Sequence, residues 1–191
     1  MRVTPNETTQ ALWQRYHFEY LRYKYKLTPE DLVIDIGAYR GEWAANIFTR
    51  YKCRMILIEP GPWIVGCEAG EVINKAADVK DGKQKFGGDF YYTSSLEPGE
   101  KEYETFDINS LLSAHEEIAL VKINIEGMEY PLLNHIIDAG LHKRMKNIQV
   151  QFHQIEGEPY EDMYAAIESK LLETHEPLWR YRFCWENWRR R

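Results

Sequence analysis

Cysteines, excess basic charge and long apolar runs are all scarce or missing in this 191-residue chain. The cysteines, Cys53, Cys67 and Cys184, are too few and too widely spaced for a disulfide framework, and none forms a C-x-x-C pair. The N-terminus has no apolar signal-peptide core, and no apolar run approaches the ~20 residues that a membrane span requires. We therefore expect reduced thiols, a cytoplasmic location and no membrane span.

The charge balance is acidic, with a formal net charge of −6. Nucleic acids bind to clustered lysine and arginine side chains, so we expect no nucleic-acid partner. The C-terminus is the exception, and we interpret it as a solvated basic tail, with a local contact to an anion or a membrane surface as the alternative. Its arginines are Arg180, Arg182, Arg189, Arg190 and Arg191, among Trp179, Trp185 and Trp188.

The spacing of apolar residues predicts alternating strands and helices behind an amphipathic leading helix at 7–27, within a leading segment 1–30. Around Gly87-Gly88 the alternation pauses, and Lys85-Phe86 and Phe90-Tyr91-Tyr92 resemble a hairpin or a pair of short edge strands. Such alternation favours a single α/β domain over 1–191, Rossmann-like, with a mostly parallel sheet and helices on both faces. Predicted strands cover 32–36, 55–58, 72–73 up to 76–78, 118–125, 148–152 and 179–185; predicted helices cover 42–51, 63–69, 108–113, 130–139 and 160–173.

A glycine-punctuated turn, Asp35-Ile36-Gly37-Ala38-Tyr39-Arg40-Gly41-Glu42, follows the first buried strand. Gly37 permits a tight turn, and Gly41 permits close approach of the helix start to a ligand. The turn departs from G-x-G-x-x-G and has no phosphate-binding Lys followed by Ser or Thr. It therefore favours a nucleoside without a pyrophosphate, although such a turn can also be purely architectural.

The second feature is Glu59, which ends the next strand 18 residues beyond Gly41. A carboxylate there can accept hydrogen bonds from both hydroxyls of a ribose, and it would repel a 2′-phosphate. An adenosyl group has both ribose hydroxyls and no 2′-phosphate, so it fits this carboxylate. The alternative is a carboxylate that only stabilises a helix N-terminus before Pro60.

The third feature is the run 121–129, in which polar residues leave another buried strand. Alternation places Lys122, Asn124 and Glu126 on one side of the strand. Buried polar groups cost desolvation energy unless they bind a ligand or pair with one another. We interpret them as functional, with a Lys122–Glu126 ion pair that braces the strand end as the alternative.

The fourth feature is His153, at the carboxyl end of the strand that includes Gln149-Val150-Gln151-Phe152. A histidine beside a ligand cleft is a candidate general base, because its pKa lies near neutral pH; a purely structural role is the alternative. The other histidines, His17, His115, His135, His142 and His175, fall on predicted helices or loops and receive no role.

Taken in order, these motifs resemble the FkbM-type methyltransferases over about Asp35 to His153, most of the chain. The block Lys122-Ile123-Asn124-Ile125-Glu126-Gly127-Met128-Glu129 is the most specific part, whereas many class I methyltransferases share the glycine turn. The other segments that carry the resemblance are 35–42, Ile58-Glu59-Pro60, Lys75-Ala76-Ala77, Ser94-Ser95-Leu96 and Glu104-Thr105-Phe106-Asp107-Ile108.

The resemblance implies a class I methyltransferase fold that binds S-adenosylmethionine over the turn and transfers its methyl group to a hydroxyl, commonly of a sugar or a specialised metabolite. Glu59 would hold the ribose, and the main chain around Ala76 and Ala77 would border the adenine. The expected cofactor-binding residues are Asp35, Gly37, Ala38, Tyr39, Gly41, Glu59, Pro60, Ala76 and Ala77.

One departure from the family pattern is Asn124, where the family usually has Asp. A neutral amide weakens a divalent-metal mechanism, because hard cations prefer carboxylate oxygens, and we assign no metal ligand. It also raises the possibility of reduced activity or of another acceptor. A non-catalytic adenosyl-binding module is therefore the main rival; a nicotinamide-dependent oxidoreductase is a second, disfavoured by the missing third glycine.

The expected mechanism is an in-line displacement in which the protein mainly aligns the acceptor oxygen and the sulfonium methyl. His153 or Glu126 would take the acceptor proton, and Lys122 and Asn124 would place the acceptor. The expected partner is a small-molecule or glycan acceptor. The tryptophans could contribute to an interface between copies of the chain, as in a homo-oligomer.

Overall fold

The computed structural model describes residues 3–4, 7–64, 68, 70–88, 93–94, 99 and 101–191. The helices are α1 (Glu7–Arg15), α2 (Glu42–Tyr51), α3 (Ile108–Ser113), α4 (Glu129–Asp138) and α5 (Tyr160–Leu171), with 3-10 helices at Phe18–Tyr23 and Leu141–Arg144. The strands are β1 (Val3–Thr4), β2 (Leu32–Ile36), β3 (Arg54–Ile58), β4 (Glu71–Ile73), β5 (Ala76–Asp78), β6 (Gly82–Gly88), β7 (Thr93–Ser94), β8 (Lys101–Asp107), β9 (Leu120–Ile123), β10 (Asn147–Val150), β11 (Gln154–Ile155), β12 (His175–Tyr181) and β13 (Trp185–Arg190).

A seven-stranded sheet in the order β12-β13-β10-β9-β2-β3-β4 forms the centre of the fold. The strands from β10 to β4 are parallel, and β13 is antiparallel to β10 and to β12. The mostly parallel α/β sheet predicted from the sequence is therefore confirmed. The carboxyl ends of β2, β3, β9 and β10 meet at one edge, which is where parallel sheets bind ligands.

Helices cover both faces of this sheet, so its central strands are buried on both sides. Every residue of β2 is buried, which explains its continuous apolar run. One core cluster packs α3, α4 and α5 against the sheet, and a second packs α2 and the segment 23–27 against the opposite face. Each fully buried Ile or Leu contributes roughly 1.5–3 kcal/mol, so these two layers hold the carboxyl edge of the strands in place.

The predicted leading helix at 7–27 is wrong in its length. Helix α1 ends at Arg15, His17 adopts a left-handed φ of 53°, and a 3-10 helix follows. The left-handed residue turns the chain, so the aromatic stripe does not share one packing face. Trp13 is 4% exposed, whereas Tyr16 and Tyr20 are 57% and 55% exposed.

A smaller sheet in the order β5-β8-β6-β7 stands beside the central one. Strand β6 runs through Gly87 and Gly88 and pairs antiparallel with β7, so these glycines continue a strand and form no turn. The second half of the predicted hairpin, Phe90 to Tyr92, lies outside the described residues, as do Val65 to Cys67 and Ala69 of the helix predicted at 63–69. Strand β8 was not predicted.

The C-terminus forms a β-hairpin, so the predicted solvated basic tail is wrong. Strand β13 lies between β12 and β10, and Glu186, Asn187 and Trp188 are fully buried. The predicted strand at 179–185 in fact includes the turn between β12 and β13. Carboxylates hold the arginines of this region in the pairs Arg180–Glu168, Arg182–Glu161, Arg189–Glu176 and Arg190–Glu117.

Within the described ranges, none of the helices combines the length and the apolar character needed to cross a lipid bilayer.

Candidate functional site

The glycine turn after β2 lies against the end of β9. The main-chain N–H groups of Gly37 and Ala38 donate to the carbonyl oxygen of Ile58, at 2.9 and 3.0 Å, and Gly37 has a left-handed φ of 79°. A Cβ atom at this position would lie 1.8 Å from the carbonyl oxygen of Asn124. The position therefore requires glycine for two reasons, and the turn stays in contact with the loop after β9.

Glu59, at the end of β3, fastens the same turn. Its Oε2 accepts a 2.9 Å hydrogen bond from the main-chain N–H of Tyr39, and its Oε1 accepts one of 2.8 Å from Gly61. Burial raises the pKa of this carboxyl, and the two N–H donors and Lys122 partly offset that rise. Each carboxylate oxygen keeps a second lone pair, so Glu59 can hold the turn and still accept hydrogen bonds from a ligand.

Lys122 and Asp35 form a buried ion pair beneath the turn. They are direct neighbours in the register of β9 and β2, and Lys122 Nζ lies 2.8 Å from Asp35 Oδ1. The same ammonium donates to the carbonyl oxygen of Gly37 at 2.6 Å. The alternative considered above, a Lys122–Glu126 ion pair bracing the strand end, is therefore replaced by this Lys122–Asp35 pair.

Alternation along β9 does not extend as far as predicted. The strand ends at Ile123, and Glu126 has a left-handed φ of 53°. Asn124 is joined to the turn by its main-chain N–H, which donates to the carbonyl oxygen of Ile36 at 3.0 Å. Its side-chain Oδ1 is buried and has no hydrogen-bond partner among the described residues.

Glu129 organises the loop between β9 and α4, and sequence reasoning missed its role. It is fully buried; its Oε1 accepts from Ile125 N–H at 2.8 Å and its Oε2 from Gly127 N–H at 2.9 Å. A signal was present, because Glu129 shares a helical face with Leu133 and Ile136, which are core residues. An acidic residue on a buried helical face needs partners.

His153 lies between two carboxylates. Its Nδ1 is 3.0 Å from Glu129 Oε1, and its Nε2 is 3.4 Å from Glu126 Oε2. Burial alone would lower its pKa, but Glu129 and then Glu126 raise the pKa of His153 to about 9. A raised pKa favours the protonated ring at neutral pH, which favours Glu126 over His153 as the general base, and both assignments stay predictions.

The other predicted cofactor residues lie around this edge. Gly41, with φ 78°, begins α2 and donates to the carbonyl oxygen of Ala38 at 2.8 Å. Pro60 follows Glu59 directly, and Ala76 and Ala77 belong to β5 of the smaller sheet. The structure thus joins the turn to Glu59, Asn124 and Lys122, while the adenine border at Ala76 and Ala77 stays a prediction.

The hydrogen-bond acceptors at this edge fit an adenosyl ligand that carries an ammonium group. Glu59 offers lone pairs to ribose hydroxyls, and the buried Oδ1 of Asn124 can accept from an ammonium or a hydroxyl. Gly37 and Gly41 add no side chain to the turn, so a ligand can approach its main chain closely at these two positions.

A family model described as "Methyltransferase FkbM domain" matches residues 35–181. No curated protein sequence matches the chain. Among solved structures, it is similar to a precorrin-6y C5,15-methyltransferase from Geobacter metallireducens GS-15, at 11% identity over 92% of this chain and 89% of that one, with a TM-score of 0.47. It is also similar to the N-terminal domain of EvdMO1 with SAH bound, at 11% identity over 98% and 83%, with a TM-score of 0.46. A third is the mitomycin 7-O-methyltransferase MmcR, at 13% identity over 96% and 56%, with a TM-score of 0.43.

Proposed function

Because this chain belongs to the FkbM methyltransferase family, we propose that it methylates a hydroxyl group of a sugar or a specialised metabolite. Its cofactor is S-adenosylmethionine, which supplies the methyl group on an electrophilic sulfonium. The observation that carries the proposal is the contact between Glu59 and the main chain of Tyr39. This hydrogen bond joins Glu59, the predicted partner of the ribose hydroxyls, to the predicted cofactor-binding turn.

Binding is assigned to the edge formed by the glycine turn and Glu59. Glu59 would accept hydrogen bonds from the ribose hydroxyls, and the main chain of Gly37 to Gly41 would hold the amino-acid part of the ligand. Asn124 Oδ1 would accept from the ligand's ammonium group, which would give this buried oxygen the partner that it lacks among the described residues. Lys122, first expected to place the acceptor, instead holds the turn through Gly37 and Asp35.

Proton removal is assigned to Glu126. Its side chain is 24% exposed, so the carboxylate can meet an acceptor and later exchange its proton with water. The cofactor would supply the methyl group and keep the carbon–sulfur electron pair on sulfur, and Glu126 would take the proton of the acceptor oxygen as that oxygen bonds to the methyl carbon. Holding the two reactants in line lowers the activation barrier more than proton removal does, since alignment can supply ~7–11 kcal/mol.

A second candidate function is an adenosyl-binding module without transfer. The amide of Asn124 favours it, because this amide stands where the family usually has a carboxylate. In that case the binding edge would be intact while no methyl group moved.

Calorimetry with S-adenosylmethionine and with its demethylated product tests the binding proposal directly. A radiolabelled methyl-transfer assay over a panel of monosaccharides, aminosugars and phenols then tests the chemistry. Binding together with labelled ether product supports the enzyme, and binding without any labelled product supports the module. If neither compound binds, both functions are refuted, and a thermal-shift comparison with nicotinamide cofactors decides on the remaining rival.

A further inference from the structure

Glu126, the proposed base, lies beside a histidine and a second, buried carboxylate that binding of the cofactor or the acceptor does not require. Glu129 is fully buried, contacts His153 and lies three residues after Glu126. We propose that Glu129 is a positioning residue that keeps His153 as an imidazolium against Glu126, and so fixes the direction of the Glu126 carboxylate. The inference rests on the proposed function, since it assigns a role within that site.

Main-chain hydrogen bonds provide the first route from Glu129 to Glu126. The two N–H groups that Glu129 accepts belong to Ile125 and Gly127, the residues on either side of Glu126. Glu126 itself has a left-handed φ of 53°, which is costly for a residue with a Cβ atom. One buried carboxylate therefore holds both ends of the strained residue and sets where its side chain leaves the loop.

The imidazole provides the second route. His153 Nδ1 faces Glu129 and Nε2 faces Glu126, so both ring nitrogens face acceptor-only groups. A neutral imidazole has one N–H and cannot donate to both, whereas an imidazolium can. The hydroxyl of Tyr130 donates to the main-chain carbonyl oxygen of His153 at 2.6 Å and fixes the position of the ring.

The charges agree with this arrangement. The titratable groups that face the imidazole are Glu129 from α4 and Glu126 from the loop, and both raise the pKa of His153 against the effect of its burial. The cation in turn attracts the Glu126 carboxylate, whose Oε2 lies 3.4 Å from His153 Nε2, and so holds its direction. Glu129 thus acts on the proposed base through His153, without touching the acceptor.

The test is a proton NMR titration of the histidine rings in the protein without ligand, in which His153 is assigned by comparison with His153→Gln. We expect a midpoint near 9 in the unaltered chain. In Glu129→Gln we expect the midpoint to fall by about one to three units, because the nearer charged partner is lost. Glu156→Gln changes an exposed acid three residues after His153, beyond β11; it serves as the control and should leave the midpoint unchanged.

Two results overturn the inference: a midpoint near 6.5 in the unaltered chain, or an unchanged midpoint in folded Glu129→Gln. If Glu129→Gln does not fold, Glu126→Gln replaces it, and a lower midpoint of His153 is expected there too. None of these readouts uses methyl transfer, so a failed proposed function and a failed inference give different results.

Kinetics provide a second readout once an acceptor is known. Glu129→Gln should lower kcat by roughly 10- to 100-fold and leave the Kd for S-adenosylmethionine within about twofold, because it acts on the proton transfer. The alkaline limb of the pH–rate profile should move to lower pH together with the His153 midpoint. An unchanged profile would contradict the positioning role, since a merely structural residue would not move it.

Discussion

Lys122 and Asp35 occupy adjacent positions on two parallel strands and form an ion pair with almost no exposure to water, since their side chains are 4% and 0% exposed. The pair lies directly below Gly37, to whose carbonyl oxygen Lys122 also donates. A charge in the middle of the sheet therefore serves the turn above it. Neither partner can be removed without leaving the other as an isolated buried charge.

We predict that Lys122→Met lowers the free energy of unfolding by about 3–5 kcal/mol, because Asp35 loses its partner in the core. Urea denaturation followed by tryptophan fluorescence measures the change. The double variant Lys122→Met with Asp35→Asn should recover at least half of the loss, since no buried charge remains. Equal stability of the single and the double variant would contradict the ion-pair explanation.

Glu59→Ala should weaken the binding of S-adenosylmethionine by roughly 100-fold, because the ribose hydroxyls would lose their acceptor. Each charge-assisted hydrogen bond contributes about 1.5–3 kcal/mol. The change also releases Tyr39 N–H from its acceptor. Calorimetry measures the affinity, with Glu42→Gln in the first turn of α2 as a control for charge. Affinity retained in Glu59→Ala would place the ribose elsewhere.

The parallel strands could be predicted from the sequence because burial on both faces produces apolar runs, as in β2 and β3. Strand β8 has no such run, because it lies in the smaller sheet with Lys101, Glu102 and Glu104 exposed and only Thr105 buried. The break at His17 depends on a left-handed backbone conformation, which the presence of a histidine does not predict. In the C-terminal hairpin, long-range pairing to β10 overrides a locally basic composition.

The residues of the candidate site were predicted, but not the bonds between them. Positions at strand ends identified Glu59, Lys122 and His153, because topology brings such ends together. The choice between partners depends on side-chain direction: Lys122 points to Asp35 on the neighbouring strand, and His153 turns to Glu129 on the preceding helix, α4. A pattern of residue types along one chain does not contain that information.

His175 should make the protein sensitive to acid. It is fully buried, its Nε2 lies 3.1 Å from the carbonyl oxygen of Met145, and burial lowers its pKa to about 4. Because the folded-state pKa lies below the usual 6.5, the stabilising effect is complete above pH 6.5 and is lost as the pH falls towards 4. We expect the loss of melting temperature between pH 7 and 4.5 to be roughly 2–4 °C smaller in His175→Gln, measured by calorimetry. A loss of the same size in both proteins would exclude His175 as the cause.

Trp188 tests whether the C-terminal strand is part of the core. Its side chain is fully buried in the cluster beneath α4 and α5, and its indole N–H donates to Glu186 Oε2 at 3.0 Å. Trp188→Ala removes this packing and leaves a cavity, so we expect a loss of about 3–5 kcal/mol in the free energy of unfolding. Arg189→Ala, one residue further, removes an exposed ion pair with Glu176 and should cost less than about 1 kcal/mol. Both values come from urea titration, and a strand that is buried as far as Trp188 and exposed at Arg189 gives such a contrast between neighbours. Equal, small effects at the two positions would instead describe a solvated tail, and β13 would then have no place in the sheet.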